Sequence, residues 1–227
     1  MSISLTETEM VRLWELHTQL EFATKDATAT VATMTPDNYV NHVPVMTGGR
    51  GRDEMIEFYG THFIPQMPAD TSLRLLARTV GKDRLIDEFV FSFTHDVATA
   101  WMLPGIPPTH RKVEVPMVVV VQFQGDKIAC ERIYWDQASV LVQLGLIDPA
   151  ALPVAGVEAA RKFENPGLPS NELIRRRRRR KCQVRLLPSG PSSSKFFCGN
   201  LHPGPPGKAL GTLNVDDRID ALTPTDV

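Results

Sequence analysis

The stretch "KIACERIYWDQASVLVQLG", Lys127–Gly145, changes its period in the middle. Up to Trp135 it is a run of β-branched and aromatic residues, Ile128, Ile133, Tyr134 and Trp135 among them, that fits a pleated strand. From Gln137 onward Val140, Leu141 and Leu144 recur at helical spacing, which predicts a helix over 137–145. Asp136 stands at the junction. A short acid there can cap the helix by accepting its free N–H groups. It can equally be the working acid of an active site, and since a carboxylate has two oxygens, the two roles are compatible.

Upstream, a period of two recurs in three more runs: "SLRLLARTV" (72–80), "RLIDEFVFSFTHD" (84–96) and "VEVPMVVVVQF" (113–123). "GKD" and "QGDK" supply tight turns, and the prolines of "LPGIPPTHR" (103–111) can continue neither neighbouring strand. Four strands joined in this way make an antiparallel meander. Ahead of them the pattern is helical. Thr6 and Glu9 have the spacing of a capping box, followed by Met10, Leu13, Trp14, His17 and Leu20 at helical intervals. Asp26 is a good cap for a second short helix with Ala27, Val31 and Met34 on one face. "TPDNYVNHVPV" (35–45) reads as a turn into a short strand. "GGRGRDEMIEFYGTHF" (48–63) reads as a glycine-rich turn and a third helix, without the spacing of a phosphate loop. Helices first, then a meander, then one closing helix give an α+β fold.

The net charge of -1 hides an asymmetry: residues 1–150 hold 12 Lys+Arg against 19 Asp+Glu, and residues 151–227 hold 13 against 7. The division expected is a domain over 1–150, a short packing or linker segment over 151–174 with a helix near 155–163, and a basic tail over 175–227. The tail is rich in Arg, Pro, Ser and Gly and reads as disordered, because it cannot bury enough apolar surface to offset its ordering entropy. Its Arg175–Arg180 run has no interleaved aromatics and sits beside an acidic body, so a solvated extension is favoured over a nucleic-acid contact. Three cysteines without a CxxC pair, and no metal-type histidine spacing, argue against a disulfide framework and a zinc site. No run is long enough to span a membrane, and the polar N-terminus lacks a leader pattern. A soluble, cytoplasmic protein is the expectation.

Alternation along the last strand places Cys130, Arg132, Tyr134 and Asp136 on one face and Glu131, Ile133 and Trp135 on the other. An Arg, a Tyr and an Asp in line make a poor hydrophobic core but a reasonable polar end to an apolar pocket. Arg132 would lower the pKa of Asp136, and Tyr134 would donate to an enolate oxygen. Phe89, Phe91 and Phe93 would supply apolar walls. His42 lies in a short apolar strand and reads either as a pocket residue or as a satisfied core histidine. His95 beside Asp96 reads as a site residue or as a hydrogen-bonded corner. Glu88 is an acid in an apolar strand that must be protonated or paired if it points inward.

The order of elements, together with "FTHD", "PGIPPT" and "GDKIACERIYWDQASVLVQLG", resembles the SnoaL-like polyketide cyclases of the nuclear transport factor 2-like superfamily over roughly residues 8–148. The resemblance implies a cone, in which a strongly curved antiparallel sheet wraps around helices and leaves an apolar pocket. It also implies a homodimer and chemistry that needs neither metal nor organic cofactor. By resemblance Asp136 is the general acid/base of an aldol ring closure or related reaction on an apolar carbonyl compound. From the residue reading above, His42 is expected to join it as a catalytic residue, and Arg132, Tyr134, His95 and Glu88 to bind the substrate. The chain departs from the family at His110, where a glycine usually follows Pro-Pro-Thr, and at Gln122, where some cyclases carry a histidine. Two other readings stay open: an epoxide-hydrolase-like enzyme, which calls for an Asp-Arg-Asp set, and a non-enzymatic ligand-binding or dimerisation module.

Overall fold

The first helix, α1 (Glu7–Gln19), starts on the capping box: Glu9 N donates to Thr6 Oγ1 and Thr6 N donates to Glu9 Oε2. Its buried stripe is Met10, Trp14 and His17. The computed structural model describes residues 5–176. The tail expected to be disordered lies outside the described residues from 177 onward.

The helix α1 widens into a π-helical turn, Leu20–Thr24, which buries Glu21 and stops on Lys25 at φ 59°. Asp26 then caps α2 (Ala27–Ala32), accepting from Ala29 N at 2.9 Å. Strand β1 (Met34–His42) follows directly, and β2 (Thr47–Arg50) returns antiparallel to it. The glycine-rich turn expected near 48 is therefore mostly strand. Gly48 sits at φ +138° opposite Asn41, where an added Cβ would lie 2.0 Å from the Val40 carbonyl oxygen. Helix α3 (Gly51–Glu57) also ends in a π-helical turn, Phe58–Phe63.

Strands β3 (Ser72–Val80), β4 (Arg84–Thr94), β5 (Lys112–Gln124) and β6 (Lys127–Trp135) form the expected meander. The sheet is six-stranded, ordered β2-β1-β6-β5-β4-β3. It is curved and packs its inner face against the N-terminal helices, as the α+β expectation requires. One feature differs from an all-antiparallel sheet: β1 runs parallel to β6, with Tyr39 opposite Cys130 and His42 opposite Ile133. The helical segment between β1 and β3 lets the chain re-enter the sheet beyond the meander, and local periodicity carries no sign of that pairing.

Helix α4 (Gln137–Gln143) closes the fold. It ends as a Schellman motif, with Gly145 N donating to Val142 O, Leu146 N to Leu141 O, and Gly145 at φ 73°. The Gln143 side chain accepts from Glu114 N at 2.9 Å and donates to Glu114 O at 3.0 Å. Gln-Leu-Gly is thus a fastening: Gln143 ties the helix to β5, Leu144 is buried, and Gly145 turns the chain. A further helix, α5 (Glu158–Glu164), buries Ala160, and Gly156 just before it accepts from Ser139 Oγ.

The Pro-Pro-Thr loop returns to β4 through His95. Thr109 N donates to His95 Nδ1 at 3.3 Å, and His110 N donates to His95 O at 2.9 Å. His110, standing in place of a glycine, is held at φ 56°. A side chain there is strained by roughly 1 kcal/mol. His110→Gly is therefore expected to raise stability by up to about 1 kcal/mol, part of the gain being lost to the greater freedom of glycine when unfolded. Chemical denaturation of the two proteins measures it, and a less stable variant would show that the imidazole does more than fill the turn.

Candidate active site

The inner face of the sheet and the helices above it enclose a cavity of about 210 Å³. Most of its wall is apolar: Phe58, Phe63, Phe89, Phe91, Met117 and Trp101 contribute. Phe89 and Phe91 stand there as expected, whereas Phe93 is buried without lining the cavity. His42 is also in the wall, 5% exposed, with its ring 5.0 Å from that of Trp101 and 6.0 Å from those of Phe58 and Phe63. Burial drives the His42 pKa down to about 3, so the ring is neutral, and its Nδ1 has no hydrogen-bond partner among the described residues.

Arg132, Tyr134 and Asp136 do not face the cavity. In an antiparallel pair, residues directly opposite one another share a face. Glu131, Ile133 and Trp135 stand opposite Val121, Val119 and Met117, all buried on the inner side. The alternation holds, but the inward face is the opposite of the one expected. Tyr134 is 43% exposed, Arg132 half-buried, and Asp136 exposed. Asp136 caps α4, accepting from Ser139 N at 3.1 Å. Glu88 is likewise exposed on the outer side of β4, and its neighbour Asp87 is the acid that points inward. His95 is fully buried beside Phe93 but does not line the cavity, and its partner is Thr109 rather than Asp96.

Two polar groups interrupt the apolar wall. The first joins α1 to the sheet. Arg78 donates from Nε to Asp87 Oδ1 at 2.7 Å and from Nη2 to Oδ2 at 2.9 Å, while Trp14 Nε1 donates to Oδ2 at 2.8 Å. Arg78 also reaches Glu15 at 2.9 Å. An acid–Arg–acid set therefore exists, but Glu15 is 61% exposed at its side chain and does not line the cavity. Both Asp87 oxygens are occupied, so the group acts as a clamp.

The second group is the buried set of His17, Glu21, Glu131 and Tyr59, of which Glu21, Tyr59 and Glu131 line the cavity. The α-helical interval of four brings Glu21 under His17, with Nε2 to Oε1 at 3.1 Å. Strand β6 delivers Glu131 Oε1 to 3.1 Å from the same nitrogen, and the wide turn after α3 delivers the Tyr59 hydroxyl to 3.2 Å. The other ring nitrogen, Nδ1, lies 2.6 Å from Thr33 Oγ1, whose own proton goes to Thr30 O at 2.6 Å. Nδ1 must therefore be the donor to Thr33. Burial alone would lower the His17 pKa, but the carboxylates of Glu131 and Glu21 overcome it and raise the pKa to about 10. Burial raises the Glu131 pKa, against the opposing pull of His17, and raises that of Tyr59, with the two carboxylates adding to the effect.

Periodicity places His17 on the buried stripe of α1, but nothing local links it to Glu131. The signal that could have done so is the pairing of Glu131 with Val121 in the β5–β6 hairpin, which puts an acid on the apolar side. The cavity thus has a deep end with two carboxylates, one imidazolium and a phenol, and an apolar remainder.

The SnoaL-like domain pattern matches residues 16–131. No curated protein matches the sequence. Among solved structures, TsrD from Streptomyces laurentii is 20% identical, with a TM-score of 0.50 over 63% of this chain and 99% of that one. A protein of ketosteroid isomerase-like fold from Catenulispora acidiphila, in complex with trimethylamine, is 17% identical, with a TM-score of 0.46 over 60% and 93%. A nuclear transport factor 2-like protein of unknown function from Burkholderia pseudomallei is 18% identical, with a TM-score of 0.46 over 62% and 98%. These likenesses concern the fold alone. Among the described residues no helix is long and apolar enough to cross a membrane.

Proposed function

We propose that this chain, which belongs to the SnoaL-like domain family, is an enzyme that moves a proton on an apolar carbonyl compound inside the cavity, without an organic cofactor. The observation that carries this reading is Glu131. Glu131 is 3% exposed and lines the cavity, and its Oε1, 3.1 Å from His17 Nε2, has no well-directed hydrogen bond among the described residues. A buried carboxylate with spare accepting capacity and a raised pKa is suited to general base work near neutral pH. In the step proposed, a Glu131 oxygen takes a proton from the carbon next to the substrate carbonyl. The C–H electron pair becomes the enolate double bond, and the carbonyl π pair moves to oxygen. The Tyr59 hydroxyl and the positive charge of His17 stabilise that oxygen, and His42 packs among the aromatic rings of the wall. Return of the proton to another carbon gives isomerisation, and attack of the enolate on a second carbonyl gives an aldol ring closure. The test uses 2-tetralone as a probe in deuterated buffer. Exchange next to the carbonyl is expected with the wild-type protein and a loss of about 100-fold or more with Glu131→Gln. Equal exchange in the two proteins would refute Glu131 as the base, and exchange no faster than buffer alone would refute proton transfer.

The outer face of the sheet supports self-association. Val118 stands between Glu88 and Tyr134, and Val120 between Ile86 and Arg132, giving an apolar band edged by one acid and one base. A two-fold pairing of this band with a second copy would bring Arg132 of each copy toward Glu88 of the other. Arg132, Tyr134 and Glu88 then serve a homodimer rather than the substrate. Light scattering should report a dimer for the wild type and a monomer for Val118→Glu. A wild-type monomer at micromolar concentration would sink this part.

A further inference from the structure

We infer that His17, Glu21 and Glu131 form a binding site for one divalent first-row transition-metal ion, a site that builds on the reading of this cavity end as the working end. The argument begins with the lone pairs. The Thr33 hydroxyl gives its proton to Thr30 O, so His17 Nδ1–H points at Thr33 and the neutral ring carries its lone pair on Nε2. That lone pair meets Glu21 Oε1 and Glu131 Oε1, each 3.1 Å away. Three electron-rich atoms converge, and a positive charge must sit among them.

A proton on Nε2 is one candidate, and it serves the site incompletely. One N–H has one hydrogen, and three oxygens stand around it, Glu21 Oε1 and Glu131 Oε1 at 3.1 Å and the Tyr59 hydroxyl at 3.2 Å. Glu131 Oε1 is buried in the same cluster with no well-directed hydrogen bond among the described residues. One proton leaves two ionised carboxylates against a single positive charge, and neutrality without a metal takes a second proton, on Glu131. A divalent ion takes up all three lone pairs and brings the buried charge to zero.

Geometry agrees. With bonds of about 2.0–2.2 Å, neighbouring ligands in tetrahedral or octahedral sites lie roughly 3.0–3.5 Å apart. The two nitrogen–oxygen separations fall within that span, and the three donor atoms all lie within 4.8 Å of one another. The Thr33 contact is the kind of hydrogen bond to the far ring nitrogen that fixes the tautomer of a ligating histidine. One imidazole and two carboxylates suit Zn²⁺, Fe²⁺, Co²⁺ or Mn²⁺ better than an all-oxygen cation such as Ca²⁺. Glu21 and Glu131 both line the cavity, so the open positions of such an ion would face the substrate. The ion would then stand in for the positive charge of His17 as the group that polarises the carbonyl, while the second oxygen of Glu131 keeps its role toward the proton.

The experiment uses the full chain, stripped with EDTA and titrated with Zn²⁺ by calorimetry and with Co²⁺ by visible absorption. Saturation at one ion per chain, with tetrahedral-type Co²⁺ bands, is expected. Glu21→Gln and Glu131→Gln should each weaken binding by about 100-fold or more, and Glu7→Gln on the exposed first turn should not change it. Should the buried variants fail to fold, the imidazole nitrogen resonance of His17 in the wild-type protein decides the matter: Nε2 must shift on adding Zn²⁺. No saturable binding, or binding that leaves His17 and both carboxylate variants unaffected, overturns the site. Tetralone exchange that persists in the stripped protein, unchanged by added Zn²⁺, overturns the ion as a catalytic component and leaves the proton-transfer reading. Stoichiometric binding without exchange does the reverse.

Discussion

Asp87→Ala should cost about 3–5 kcal/mol of stability, read as a shift of the urea unfolding curve. Asp87 is 4% exposed, and its two oxygens accept two hydrogen bonds from Arg78 and one from Trp14. Alanine leaves the indole N–H buried without an acceptor and the guanidinium with only the exposed Glu15 as counter-ion. Breaking a buried pair from one side costs that much, because the remaining charge loses its buried partner. The screened part of the interaction is small, since the Arg78 side chain is 20% exposed. Replacing both partners by apolar groups, as in Arg78→Met with Asp87→Leu, should recover most of the loss, because the desolvation cost disappears with the pair. A single variant within about 1 kcal/mol of wild type would show that α1 does not depend on this clamp.

The second large effect is a dependence on acid. His42 is buried among Phe58, Phe63 and Trp101, and burial takes its pKa from 6.5 down to about 3. Between those values the unfolded chain binds a proton that the native protein refuses. The contribution of neutral His42 is therefore intact above pH 6.5 and is lost progressively as the pH drops toward 3. Its full size is about 4–5 kcal/mol at about 1.4 kcal/mol per unit. Since other groups titrate in the same range, the informative quantity is the difference from His42→Phe, a ring of similar shape without the proton site. The wild type should lose stability relative to that variant at each step from about pH 6 to about pH 4, with the two converging to within about 1 kcal/mol near pH 8. Parallel curves would mean that the imidazole is solvated or protonated in the native state.

How far the sequence can be read depends on the scale of the signal. The meander, the capping box at Thr6, the cap at Asp26 and the closing helix after Asp136 are local, and each rests on a few neighbouring residues; all are legible. The parallel pairing of β1 with β6 is not, because it joins segments about ninety residues apart and leaves no mark on either period. The site is misread for a more instructive reason. Alternation in "CERIYWD" separates two faces but does not say which is inward, and charge favours placing Glu131 outside. The partner strand holds the answer. Both faces of "VEVPMVVVVQF" look hydrophobic at first sight, yet Glu114, Pro116 and Gln122 interrupt one of them. The uninterrupted set, Val113, Val115, Met117, Val119, Val121 and Phe123, is the buried one, and the hairpin register brings Glu131 to its side.

The wide turn Phe58–Phe63 has a consequence for how this cavity can diversify. Phe58 and Phe63 both reach the wall although they stand five positions apart, and on a regular α-helix that interval would turn them about 140° apart. A π-helical turn behaves as one residue inserted into a helix. A regular α-helix of unchanged length would swing the second ring out of the wall, whereas loss of one residue between Phe58 and Phe63 would restore the regular helix at a four-residue interval, about 40° apart, and keep both rings in place. A chain of this scaffold can therefore carry the two-ring lining on a regular helix only by a one-residue change in length, so the placement of the rings and the length of the segment are tied together.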